Sequence, residues 1–308
     1  MPVFFMALSL FVLSQSAILV RLAKEASAIE IGFWRMFFAV PVLLLLAWQR
    51  GQLPQLLKLR RKQLLNMVLC GFCLFLHWLI WFLSVKTTTL ANAMVFFALS
   101  PVFTAIGAWK FYREPFTKRH FFSLFFCGLG VWLIFREGLE FHSSRLLGDV
   151  LGVTASVLFS AYVLLGKGIR RGLSNLPFTI ITYGSCWIFF VVLLLFQGAP
   201  DLQYSRITWI ALLALVVGPT LLGHGLFTYC LEHFNVNLMN ILVLTEPLLG
   251  AVSAYLLFGE KITIAVAQGF ASVSIAILIL FLPNLIKKNF SASILSSKRN
   301  RNGRGYSG

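Results

Sequence analysis

Residues 98–117 read ALSPVFTAIGAWKFYREPFT, and residues 244–263 read LTEPLLGAVSAYLLFGEKIT. Laid over each other at a fixed offset of 146 residues, they pair Pro101 with Pro247, Ala105 with Ala251, Ala108 with Ala254, Glu114 with Glu260 and Thr117 with Thr263, without a gap. In a chain of 308 residues that offset makes two halves of similar design, 1–140 and 145–286, followed by a basic tail at 287–308. The copies differ at one telling place: Glu246 stands where the first copy has Ser100.

Composition excludes a soluble domain. The chain is 59% hydrophobic and 12% charged, with a mean hydropathy of +0.86, whereas soluble chains carry about 25% charged residues. About 20 apolar residues cross roughly 30 Å of hydrocarbon, and ten runs qualify: 2–22, 31–49, 64–84, 90–112, 119–136, 147–166, 177–197, 206–229, 237–258 and 263–283. Gly and Pro within the runs speak against strands and are tolerated in membrane helices. The fold expected is an all-α integral membrane protein of ten transmembrane helices.

A net charge of +16 suggests nucleic acid until its distribution is read. With the N-terminus placed in the cytoplasm, cytoplasmic segments hold 18 of the 26 Lys and Arg, opposite loops hold seven, and Arg35 lies inside a span. That asymmetry is the positive-inside signature. It predicts a multi-pass protein of the cytoplasmic (inner) membrane with both termini inside and no nucleic-acid partner. The basic tail is expected to be disordered and to lie near anionic lipid. The first run, with no basic residue before it, reads as a retained helix, not a cleaved signal peptide. Cys70 and Cys73 have metal-site spacing but no second pair, so packing in an apolar helix is the reading for both.

Five spans per half is an odd number, so the second half enters the membrane inverted. Lys110, Arg113, Lys118 and Arg119 follow the fourth span, while Lys261 alone follows the ninth, as inversion requires. Inverted repeats build many secondary transporters, with the substrate site near the midplane between the halves. Residues at i, i+4 and i+7 share a helix face: Ser100, Thr104 and Gly107 in the fourth span, Glu246, Gly250 and Ser253 in the ninth. Pro101 and Pro247 are expected to kink their helices and serve as hinges.

Four ionisable residues fall at membrane depth: Arg35, His77, His224 and Glu246. A charge there costs roughly 2.5–3.5 kcal/mol on insertion scales, which makes each a candidate functional group. Glu246 is the foremost candidate for substrate binding or proton coupling. The bland readings stay open: hydrogen bonding to a neighbouring helix for the histidines, snorkelling to the outer boundary for Arg35. Trp78 and Trp81 adjoin His77, while Thr220, His224 and Thr228 follow one another at i, i+4 and i+8. Asn92, Asn237 and Asn240 add amides near span ends. Together they suit an aromatic-walled cavity for a small polar or zwitterionic molecule. Gly128-Leu129-Gly130 lacks a strand before it and reads as packing. No nucleotide loop, metal motif, cofactor motif or catalytic constellation is present in the sequence.

Several segments, taken in order, resemble the EamA type of the drug/metabolite transporter superfamily. They are Phe33-Trp34-Arg35-Met36-Phe37-Phe38, Leu76-His77-Trp78 with Trp81-Phe82-Leu83-Ser84, Gly223-His224, Thr245-Glu246-Pro247-Leu248-Leu249-Gly250-Ala251 and Gly259-Glu260. The resemblance runs to about residue 283. It implies secondary transport across the cytoplasmic membrane, commonly export of amino acids or related metabolites, and places Arg35, His77, His224 and Glu246 at recurrent polar positions. The sequence departs at Tyr112-Arg113-Glu114-Pro115 and at Thr228-Tyr229, so a substrate does not transfer with it. The expectation is an exporter of a small organic metabolite coupled to protons through Glu246, with a homodimer left open. An importer or exchanger of S-adenosylmethionine or nucleotide-like compounds, and a membrane scaffold or enzyme without transport, stand as alternatives.

Overall fold

The computed structural model describes residues 2–113, 117–137, 143–169, 174–200, 202–230, 242–259 and 263–279, apart from the single positions 266 and 277. Asn237, Asn240, Glu114, Glu260 and the basic tail lie outside the described residues.

Within them the chain is helical: α1 (Pro2–Ser14), α2 (Ser16–Leu22), α3 (Ala28–Gln49), α4 (Leu53–Leu57), α5 (Arg61–Thr87), α6 (Leu90–Phe97), α7 (Ser100–Tyr112), α8 (Lys118–Glu137), α9 (Ser143–Ile169), α10 (Asn175–Gln197), α11 (Arg206–Leu215), α12 (His224–Cys230) and α13 (Glu246–Phe258). A π-helix, Val216–Gly223, joins α11 to α12, and a 3-10 turn, Val243–Thr245, leads into α13. A last helical stretch, α14, covers 267–276. Six spans among the described residues are long and apolar enough to cross a membrane: Pro2–Leu22, Ala28–Gln49, Arg61–Thr87, Leu146–Ile169, Asn175–Gln197 and Arg206–Phe227.

The two copies of the opening stretch fold alike. Both α7 and α13 are 13 residues long, both carry proline in the first turn, and both stop at a left-handed residue. These stops are Arg113 (φ 54°, ψ 31°) and Gly259 (φ 65°, ψ 21°), again 146 positions apart. Among the described residues each proline stands in the first turn of a helix and not in mid-helix. Proline has no N–H and its ring collides with the carbonyl four residues back, so the chain breaks its helix before Pro101 and tightens into the 3-10 turn before Pro247. Each proline then sits where a helix start accommodates it.

Small residues let the helices approach, as membrane packing favours. Along α9, Ser156 Oγ donates to Phe96 O (2.6 Å) and Ser160 Oγ to Ser100 O (2.8 Å), while Tyr112 OH of α7 donates to Leu164 O (2.6 Å). Ser100, Thr104 and Gly107 are thus buried in a seam against α9. The contact of α8 with α14 repeats the sequence offset. Ser123 Oγ donates to Ala276 O (3.0 Å), and moving both residues by 146 positions gives Gly269 and Gly130, which also meet. A Cβ at Gly130 would fall 2.7 Å from Gly269 O, so Gly130 is a packing glycine.

One end of the bundle is tied shut. Arg21 Nη2 donates to Thr88 O (2.9 Å), Lys86 Nζ reaches Ala23 O and Lys24 O (both 3.3 Å), and Gln197 Nε2 reaches Ser27 Oγ (3.3 Å). Asp149 Oδ1 accepts from Thr88 Oγ1 (2.7 Å) and Asn92 Nδ2 (3.3 Å). Asn92, expected to anchor a ligand, therefore belongs to this closure. In the 23–27 loop, Glu25 Oε2 accepts from Ser205 N (2.7 Å). That backbone bond, helped by the hydroxyls of Thr208 and Ser205, holds the Glu25 carboxyl below the usual carboxylate range.

Candidate functional site: a two-chamber cavity

The opposite end is open. A vestibule enters between Arg50 and Gln52 on one side and Ser174 and Asn175 on the other, and runs inward to Tyr183, Thr220 and His224. Beyond His224 lies a second, smaller cavity. Arg35, His77, Trp78, Trp81, His224 and Glu246 all line this inner cavity. They come from α3, α5, α12 and α13, and His224 borders both chambers.

Arg35 is 1% exposed, which rules out the snorkelling reading. Its Nε donates to Thr220 Oγ1 (2.5 Å), and its guanidinium carbon sits 4.2 Å from the centre of the Trp78 ring, a cation–π contact. Thr220 is placed by the π-helix. Pro219 cannot supply the N–H that Leu215 O would accept in an α-helix, and the Thr220 hydroxyl donates to that carbonyl instead (2.7 Å). The i→i+5 turns also shift the face that follows, as π-bulges at functional sites do. Thr220 and His224 border the same outer chamber, and the Thr228 side chain lies outside the description.

His77 Nδ1 lies 2.9 Å from Ala155 O. A carbonyl only accepts, so Nδ1 carries a proton, and in the neutral ring Nε2 is left as a lone-pair acceptor. The ring packs near Phe97 (5.5 Å) and Phe159 (5.1 Å). Trp78 meets Tyr183 (5.7 Å) and His224 (6.1 Å) edge to face. Glu246 opens α13 with 9% exposure, its acid at the positive end of the helix. One turn on, Gly250 leaves room for Met94, whose thioether occupies the place a Cβ would take. Phe97, Phe159, Phe227 and Met94 add to the walls, with Ser16 and Val243 among the others. Thr220 was visible in the sequence through its neighbour His224, but Tyr183 and the Phe residues were not: among 31 Phe no periodicity marks the few that turn inward. Asp149, in the first turns of α9, was also missed, because it stands just inside the edge of an apolar run.

The sequence profile of the EamA-like transporter family matches this chain twice, over residues 1–136 and 146–282. An uncharacterized transporter, sll1319, of Synechocystis sp. (strain ATCC 27184 / PCC 6803 / Kazusa) is 24% identical over 258 residues, covering 80% of this chain and 77% of that one. The threonine/homoserine exporter RhtA of Escherichia coli (strain K12) is 26% identical over 237 residues, 75% of each chain. The uncharacterized transporter YxxF of Bacillus subtilis (strain 168) is 26% identical, and the match spans 62% of its length. A solved crystal structure superposes with a TM-score of 0.70 over 91% of this chain and 97% of its own, at 16% identity, which is a likeness of fold.

Proposed function

The chain belongs to the EamA-like transporter family, and on that premise we propose that it is a proton-coupled secondary carrier exporting a small organic metabolite, an amino acid or related compound. It is a multi-pass membrane transporter and not an enzyme, which sets aside the catalytic alternative. The observation that carries the proposal is the inner cavity, where Arg35 and His77 of the first half face His224 and Glu246 of the second.

The architecture proposed is ten spans in two inverted repeats, 1–140 and 145–286. It is supported by the paired stops at Arg113 and Gly259 and by the exchanged contacts of α8 with α14. The packing pattern agrees: α5 lies along α9, and the π-helix and α12 lie along α1. Pro101 and Pro247 are proposed as the hinges, supported by the break between Leu90–Phe97 and Ser100–Tyr112 and by the 3-10 turn Val243–Thr245 that leads into Pro247. In this reading Glu246 carries the coupling proton, assisted by His77 or His224, while Arg35, Trp78 and Trp81 shape the substrate site. The vestibule opens at the end bearing Arg50 and the other basic loops, the cytoplasmic end by the positive-inside rule, which is the side from which an exporter would load. Both termini then lie in the cytoplasm.

The test is flux in proteoliposomes. Amino acids and related metabolites are loaded singly and a pH gradient is imposed. At least one compound should leave faster when protons flow the other way. Equal release from protein-free liposomes for the whole panel would end the proposal.

A further inference from the structure

We infer that the terminal nitrogens of Arg35 and the indole N–H of Trp81 form a carboxylate-binding subsite, so that the transported molecule is a singly charged carboxylate whose amine, where it has one, turns toward His77 and Glu246. The inference rests on the transport reading for the word "transported" alone; the subsite itself follows from the cavity.

Arg35 is 1% exposed and spends only Nε on a protein partner, the Thr220 hydroxyl. Among the described residues, Nη1 and Nη2 donate no hydrogen bond, and no carboxylate oxygen comes within ion-pair distance of the guanidinium. The Trp78 face lies beside the charge but leaves those N–H groups unused. A buried cation without a counter-ion is costly, and that cost is relieved when an anion pairs with it. A guanidinium fork matches the two oxygens of a carboxylate.

Trp81 is the second, independent observation. Its ring lines the same cavity, it is 8% exposed, and its Nε1–H is buried with no acceptor among the described residues. A buried donor left unsatisfied calls for a partner. The acceptors of the cavity are on other groups: His77 offers Nε2, since Nδ1 is spent on Ala155 O, and Glu246 offers its carboxyl. Arg35 is the one Arg or Lys among the described lining residues, so the site balances one negative charge and not the two of a phosphate monoester. Apart from His224 and Ser16, the rest of the lining is aromatic or aliphatic and suits an apolar side chain.

The experiment measures thermal stabilisation of the purified full-length protein by each amino acid, by the amine it becomes without its carboxyl, by the acid it becomes without its amine, and by inorganic phosphate. In the wild type the amino acids, and more weakly the acids, should bind at least about tenfold tighter than the amines. Arg35→Gln should abolish that preference, and Arg35→Lys should restore only part of it, because the charge returns without the fork. Trp81→Phe keeps the ring and should narrow the preference several-fold, so it carries the test should Arg35→Gln fail to fold. Wild-type preference for amines or phosphate, no carboxylate bound at millimolar concentration, an unchanged preference in a folded Arg35→Gln or, where that variant does not fold, an unchanged preference in Trp81→Phe would each overturn the subsite. Flux is scored apart. A carried substrate without a carboxyl would refute the subsite and keep the carrier, whereas carboxylate binding without flux would do the reverse.

Discussion

At the residue scale, Thr220 holds more of the site than its size suggests. Its hydroxyl accepts from Arg35 and donates to Leu215 O, so it fixes the buried cation to the wide helix. Thr220→Val keeps the shape and strands a charged donor and a carbonyl. It should lower stability by about 1–3 kcal/mol and cut flux at least tenfold, whereas Thr220→Ser should restore both; denaturation in detergent and liposome flux read the two effects. A valine variant as stable and active as the wild type would mean that Arg35 needs no such anchor. Which residues line the cavity was partly legible beforehand. Arg35, His77, His224 and Glu246 stood out because charge is expensive at membrane depth. Tyr183 and Phe97 did not, because an aromatic ring in an apolar run looks the same whether it faces lipid or cavity.

At the element scale, the repeat makes its own predictions. Gly130→Ala drives a Cβ toward Gly269 O and should cost about 1–3 kcal/mol. Gly128→Ala, with nothing within 4 Å, should be neutral or stabilise by up to about 1 kcal/mol. Melting temperatures in one detergent separate the pair. The two left-handed stops behave oppositely: Arg113→Gly relieves a side chain held at φ 54°, and Gly259→Ala imposes one at φ 65°. The first should stabilise and the second destabilise, each by about 1 kcal/mol. Equal melting temperatures would contradict the assigned backbone. The sequence foretold the register of these elements through the 146-residue offset, and the prolines that break them were visible too. It did not foretell that the breaks would be clean helix starts in place of kinks, nor the π-helix, since both depend on where a carbonyl freed by proline finds its donor.

At the scale of the whole molecule, one end is closed by hydrogen bonds and the other opens to the site. Glu25 reports on the closed end. Its carboxyl is held low by Ser205, so the tie is intact at neutral pH and is lost only as pH falls through that depressed value. Glu25→Gln should therefore speed amide exchange around 205–208 at neutral pH, and the difference from wild type should vanish at pH beneath the depressed value. Exchange unchanged at neutral pH would remove Glu25 from the closure. Charge asymmetry predicts which end faces the cytoplasm, but which end is open follows only from how the helices pack, and periodicity does not encode that. The central claim is that the site couples a metabolite to a proton through Glu246. Its most direct test compares wild type and Glu246→Gln in proteoliposomes, by counterflow without a pH gradient and by efflux with one. The variant should still exchange substrate while losing all acceleration by the gradient. Gradient-driven efflux equal to wild type, with the same pH dependence, would contradict the claim and leave Glu246 a packing residue.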